Sequence, residues 1–267
     1  MVKTLFKYEF KAYARTILPM QGIIIVIALL NRLIQFAESD DVSYRITFNS
    51  SLVALIISMI VLCVFTLIFG VTRYYKNMFS HEGYLTLTLP VTSSQHIIVK
   101  VVTFFVFTVL TAISLLVAGC VASMGDMLFE VCRAIGYLVN RAFANHGVHF
   151  ILYCIEIFFI LVITVFYNYL LFYGCMTLGQ TARKNRVLCS FGIYFAYYFV
   201  TQILATVVML FVINTPDMVE DVIAFSFDHE YAFFHILFCT VIVVMSALCV
   251  GLYALTDHIL KYKLNIE

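Results

Sequence analysis

Residues 150–178 read FILYCIEIFFILVITVFYNYLLFYGCMTL, and Glu156 is the one charged side chain in the stretch. A helix needs about 20 apolar residues to cross the hydrocarbon core of a bilayer. This run exceeds that length and lacks the apolar–polar alternation of a half-buried strand. Five further runs of the same kind lie at 17–36, 51–72, 101–123, 187–213 and 232–256. Lipid offers no partner for backbone amides and carbonyls, so each segment must satisfy its own, which a helix does. The sequence therefore predicts an all-α polytopic membrane protein: six transmembrane helices in a single transmembrane domain over 1–267. The two longest runs, 150–178 and 187–213, call for tilt or for extension beyond the membrane.

Composition agrees. Of the 267 residues, 63% are apolar and 12% charged, and the mean hydropathy is +1.02. Soluble domains carry about 25% charged residues, so much of this apolar surface must face lipid. Tryptophan is absent, which leaves any interfacial belt to 17 tyrosines and 26 phenylalanines. The first apolar run lacks a small-residue cleavage site and is expected to be a retained span. Seven of the eight cysteines fall in apolar stretches, with Cys132 in the loop after the third span. No C-x-x-C pair occurs, and the expected role of the cysteines is packing.

The net charge of +1 conceals an asymmetry. The N-terminus, the loops 73–100 and 179–186 and the C-terminus together hold 12 of the 16 Lys and Arg residues, against four acids. The opposite side holds Arg32, Arg45, Arg133 and Arg141 against ten acids, five of them between Asp217 and Glu230. Lys and Arg bias sets orientation, so the basic side is expected to be cytoplasmic, with both termini there and the chain in the cell membrane.

The first 16 residues carry a second pattern. Lys3, Lys7, Lys11 and Arg15 form a basic stripe at intervals of four, while Phe6, Phe10, Tyr13 and Ile17 form an apolar one. Two such stripes predict an amphipathic interfacial helix over 1–16, lying on membrane lipids before the chain turns into the first span. The loop 73–100 is long for a bare connector. Within it, Thr92-x-x-Gln95 after Pro90 is a capping-box pattern that should start the helix feeding the third span. Tyr84 to Leu89 alternates enough to form a short strand in isolation.

Motifs of catalysis are missing. The chain has no G-x-x-x-x-G-K-[ST], no H-E-x-x-H and no G-x-S-x-G. No enzymatic activity, cofactor or nucleic-acid partner is expected. His146 and His149 have a metal-like spacing, with Asp228, His229, Glu230 and His235 on the same side. Such spacings arise often by chance in loops, and no metal site is assigned. Glu156 is an intramembrane acid about two turns from the outer end of its span, within reach of water or a helix partner. A proton or transport role and a satisfied structural carboxylate both fit it. Asn168, Gln202 and Thr206 are either inter-helix hydrogen-bonding groups or cavity-lining ones.

Three stretches, KYEFKAYAR (7–15), EGYLTLTLPVTSSQ (82–95) and LGQTARKNRVL (178–188), resemble the membrane subunits of type-2 ABC exporters, especially small permeases of Firmicutes. The likeness extends over the order of elements along the whole chain, and EGYLT-x-TLPV is its most specific part. It implies that a separate ATPase subunit contacts the interfacial helix and the loop between spans two and three. It assigns ATPase coupling to Glu82, Gly83, Tyr84, Leu85 and Thr86, with docking support from Tyr8, Glu9 and Phe10. It also implies a second permease subunit, identical or not, and short helices outside the membrane over 215–231. Two other readings stand beside it. An ion-coupled secondary transporter would show Gly/Pro-interrupted helices at matching positions in two halves, which are not visible. A non-transporting scaffold or sensor would signal through 73–100.

Overall fold

The computed structural model describes residues 2–36, 42–79, 92–123, 126–182 and 184–262. Among them every regular element is a helix: α1 (Val2–Phe36), α2 (Val42–Phe79), α3 (Ser93–Ala122), α4 (Asp126–His146), α5 (Val148–Gly179), α6 (Arg186–Ile213), α7 (Pro216–Asp228) and α8 (Glu230–Tyr262). Six of these, all but α4 and α7, are long and apolar enough to cross a membrane. They carry the six expected spans, with Ser123 serving as the C-cap of α3. The chain is an all-α, multi-pass membrane protein. Its contacts divide it into two compact units, Met1–Arg141 and Ala142–Glu267.

In the first unit α1 packs on α2 and α3, and α2 packs on α3. The amphipathic N-terminal segment is present, but the chain does not turn after it: α1 runs unbroken from Val2 to Phe36. Pro19 sits where the two parts meet and deletes one rung, the bond an amide there would make to the Arg15 carbonyl. The basic stripe Lys3, Lys7, Lys11 and Arg15 faces outward. The opposite face buries Glu9, Tyr13, Ile17, Gln21, Ile24, Ala28 and Asn31, at the three-and-four spacing of one helical stripe.

Those buried positions build layers along the unit. Tyr13 meets Phe69 edge-on at 5.2 Å and stacks on Phe107 at 5.3 Å. Beyond them Gln21 Nε2 donates to Thr111 Oγ1 at 3.0 Å, and Thr66 and Thr111 share a hydroxyl contact at 3.3 Å. An apolar layer follows, in which Ile24 and Ala28 of α1 join Leu55, Leu62, Ala118 and Ala122. Asn31 closes the far end by donating to Ser51 Oγ at 2.7 Å. Inter-helix hydrogen bonds of this kind fix register where lipid removes the usual hydrophobic drive. The expected capping box opens α3: Gln95 N donates to Thr92 Oγ1 at 3.4 Å and Thr92 N donates to Gln95 Oε1 at 3.3 Å.

In the second unit α5 packs on α6 and α8, and α7 joins α6 to α8. Asn185, at φ 51°, makes the left-handed turn that enters α6. There Gly179 lets α5 approach α6, since a Cβ at that position would sit 2.7 Å from Ser190 Cα. Phe172 stacks on Tyr194 at 5.1 Å, and the Tyr167 and Tyr197 hydroxyls pair. α7 is a short helix within 215–231, where short helices were expected.

One segment differs from expectation. Residues 126–146 form α4 rather than a loop, so Cys132 lies on a helix. Asp126, Glu130, Arg133 and Arg141 disqualify this stretch as a span. Its apolar residues Val131, Ile135, Leu138 and Ala142 nevertheless recur at four, three and four. His146 ends α4, Gly147 breaks the helix at φ 54°, and His149 lies in the first turn of α5, so neither histidine is in a loop.

Candidate functional site

Glu9 is the one acid among the first 16 residues, and it falls on the apolar stripe, four positions before Tyr13. The helical period therefore turns it inward rather than toward the basic stripe. Its carboxylate accepts from Lys100 Nζ at 2.8 Å, from Arg73 Nε at 2.7 Å and from Asn77 Nδ2 at 2.9 Å. The Glu9 and Lys100 side chains are 6% and 4% exposed, so this is a buried ion pair, with Arg73 at 25% forming its outer wall. The Arg73 guanidinium also lies 5.7 Å from the centre of the Tyr13 ring. Burial of two charges is tolerable because each oxygen of the carboxylate is occupied by a donor. One turn before Lys100, His96 is buried with neither ring nitrogen hydrogen-bonded among the described residues.

The clamp joins three elements at one end of the unit. Arg73 and Asn77 lie in the last turns of α2, and Lys100 lies in the second turn of α3. These two ends flank residues 80–91. Glu82, Gly83, Tyr84, Leu85 and Thr86, for which the resemblance implies a coupling role, lie outside the described residues. Of the three residues expected to support docking, Tyr8 faces outward at 67% exposure. Phe10 is at the rim, 4.9 Å from the Phe107 ring. Glu9 presents nothing at the surface, so any support it lends is as a brace beneath Tyr8.

A second polar cluster lies in the other unit. His149, Tyr153 and Glu156 form one stripe of α5, at spacings of four and three, facing Tyr231 and His235 of α8. His235 Nδ1 is 2.8 Å from Glu156 Oε1, and His235 Nε2 is 3.0 Å from His149 Nδ1. Tyr231 stacks on the His149 ring at 4.3 Å and Tyr153 lies 4.6 Å from the His235 ring. Glu156 thus has the helix partner that its depth allowed. Among the described residues no three His, Cys, Asp or Glu side chains converge as metal ligands.

No family model, curated protein or solved structure matches this chain. The geometry of the two clusters is therefore the main guide to what the protein does.

Sequence reasoning missed the partners of both carboxylates. In the sequence Arg73 and Lys100 read only as part of the basic charge of 73–100, and Asn77 carries no signal. The signal for an inward Glu9 was its register with Tyr13 and Ile17. For Glu156 it was the histidine in the second turn of a facing span. Asn168 stays local, donating to the Thr164 carbonyl of its own helix at 2.8 Å. Thr206 does the same to Gln202 at 2.9 Å.

Proposed function

We propose that the chain is the membrane-spanning permease subunit of an ATP-driven exporter. In this reading it resides in the cell membrane with both termini in the cytoplasm. It pairs with a second permease subunit, and a separate ATPase subunit docks where residues 73–100 meet the N-terminal segment. The observation that supports it is the Glu9 clamp. One carboxylate ties the outward-facing N-terminal segment to both helix ends that flank 80–91. A push on Tyr8 or on the 80–91 stretch would pass to α1, α2 and α3 together, as mechanical coupling requires. ATP binding would then shift inward- and outward-facing populations, provided the ATPase binds the two states differently. The test is capture of the co-expressed ATPase by wild-type and variant permease at matched expression. Tyr84→Ala and Glu82→Lys should keep membrane insertion and reduce capture, by about 2 kcal/mol or more for a hot-spot aromatic. Equal capture by both variants with unchanged transport would overturn the reading.

A further inference from the structure

Two carboxylates held between helices, Glu9 and Glu156, are neutralised in different ways. Glu9 meets a lysine and an arginine. Glu156 meets a histidine, and among the described residues no lysine or arginine pairs with it. Its second oxygen is buried with no hydrogen-bond partner among those residues. With no lysine or arginine paired to it among the described residues, this cluster can cancel its negative charge by acquiring a proton.

We propose that Glu156, His235 and His149 form a proton-binding relay. The ionised carboxylate only accepts hydrogen bonds, so the contact to Glu156 Oε1 places a hydrogen on His235 Nδ1. The Nε2 of a neutral His235 is then an acceptor, which places a hydrogen on His149 Nδ1 and leaves the His149 Nε2 lone pair open. A proton arriving from water binds His149 Nε2. The Nδ1 hydrogen of His149 passes to His235 Nε2, and the Nδ1 hydrogen of His235 passes to Glu156 Oε1. Before the step the three groups are a carboxylate and two neutral imidazoles; after it they are a carboxylic acid and two neutral imidazoles. One proton has been taken up and no electron has moved. His149 lies in the first turn of α5 and Glu156 seven residues further in, a travel of about 10 Å along the helix. The relay thus runs from the end of the span toward its middle.

The surroundings are built to hold the two rings rather than to bypass them. α8 contributes Tyr231, stacked on the His149 ring, and α5 contributes Tyr153, tilted against the His235 ring. The last residue of α4, His146, meets Tyr231 edge-on at 5.9 Å, and Tyr231 Oη donates to the Asn145 carbonyl at 3.3 Å. Glu230 opens α8. α7 ends beside α8 with Asp228 and His229, the ring of the latter resting on Phe225 at 5.3 Å. α6, the other helix on α5, sets Tyr194 and Tyr197 against Phe172 and Tyr167, further along the span.

The experiment is infrared difference spectroscopy of the full chain in lipid nanodiscs, titrated between about pH 5 and pH 9 around the histidine range. A carboxylic-acid carbonyl band should appear on acidification and vanish in Glu156→Gln. Its midpoint should move by about one pH unit or more, tenfold in proton affinity, in His235→Gln. A second measurement needs no substitution: magnetic resonance of wild-type protein with isotope-labelled histidine. At alkaline pH it should find His235 protonated at Nδ1 and accepting at Nε2. No titrating band lost in Glu156→Gln, an unmoved midpoint in His235→Gln, or a His235 protonated at Nε2 instead would each overturn the relay. None of these outcomes bears on ATPase docking, so the two proposals fail independently.

Discussion

Lys100 Nζ lies 2.8 Å from Glu9 Oε1, a contact between residues 91 positions apart whose side chains are both almost fully buried. Removing one partner of such a pair leaves an uncompensated charge in a low-dielectric interior. Glu9→Gln should therefore cost about 3–5 kcal/mol. Lys100→Met should cost less, because Arg73 and Asn77 still engage the carboxylate. The double variant Glu9→Gln, Lys100→Met should recover part of the loss, and a thermal-unfolding cycle in detergent measures this coupling. Simple additivity of the two single losses would show that the pair is not a unit.

Thr92 and Gln95 satisfy each other's backbone amides at the start of α3. Thr92→Ala should destabilise that end by about 1 kcal/mol. Hydrogen exchange is the suitable readout, with faster exchange of the amides near residue 95 and little change in the middle of α3. Thr92→Ser should behave like the wild type, since it keeps the accepting oxygen.

Gly179 tests the approach of α5 to α6. A methyl group there meets Ser190 Oγ and, at 2.7 Å, both Ser190 Cβ and its backbone Cα, so turning the hydroxyl away would not relieve the clash. Gly179→Ala should therefore cost about 1–3 kcal/mol through overpacking. The same change at Gly192, where an added Cβ meets nothing within 4 Å, is the control. Comparable unfolding temperatures for the two variants would contradict the packing described.

The charge asymmetry predicts the sidedness of the 179–186 turn. A single cysteine at position 184, outward-facing in the structure, in a cysteine-free background, should react with an impermeant thiol reagent only after the membrane is opened. Labelling from outside intact cells would reverse the topology.

The six spans were legible because lipid imposes one demand, a long apolar run, that any neighbourhood of the chain reveals by itself. The capping box was legible for the same reason: its two residues are three positions apart. α4 escaped because the apolar-run criterion ignores periodicity, and its four charges mask a helical stripe. The clamp was beyond local reading, since Glu9 meets residues 64, 68 and 91 positions away. Composition can announce that a carboxylate is misplaced on an apolar face, but only packing says which cation answers it. His235 and Glu156, 79 positions apart, make the same point.

The division into Met1–Arg141 and Ala142–Glu267 has a consequence for biogenesis. Each unit contains three spans, and every hydrogen-bond partner of Glu9 among the described residues belongs to the first. When the ribosome has delivered α3 to the insertion machinery, the nascent chain already holds all it needs to bury that carboxylate. Pairing of that carboxylate therefore needs no residue of the second unit.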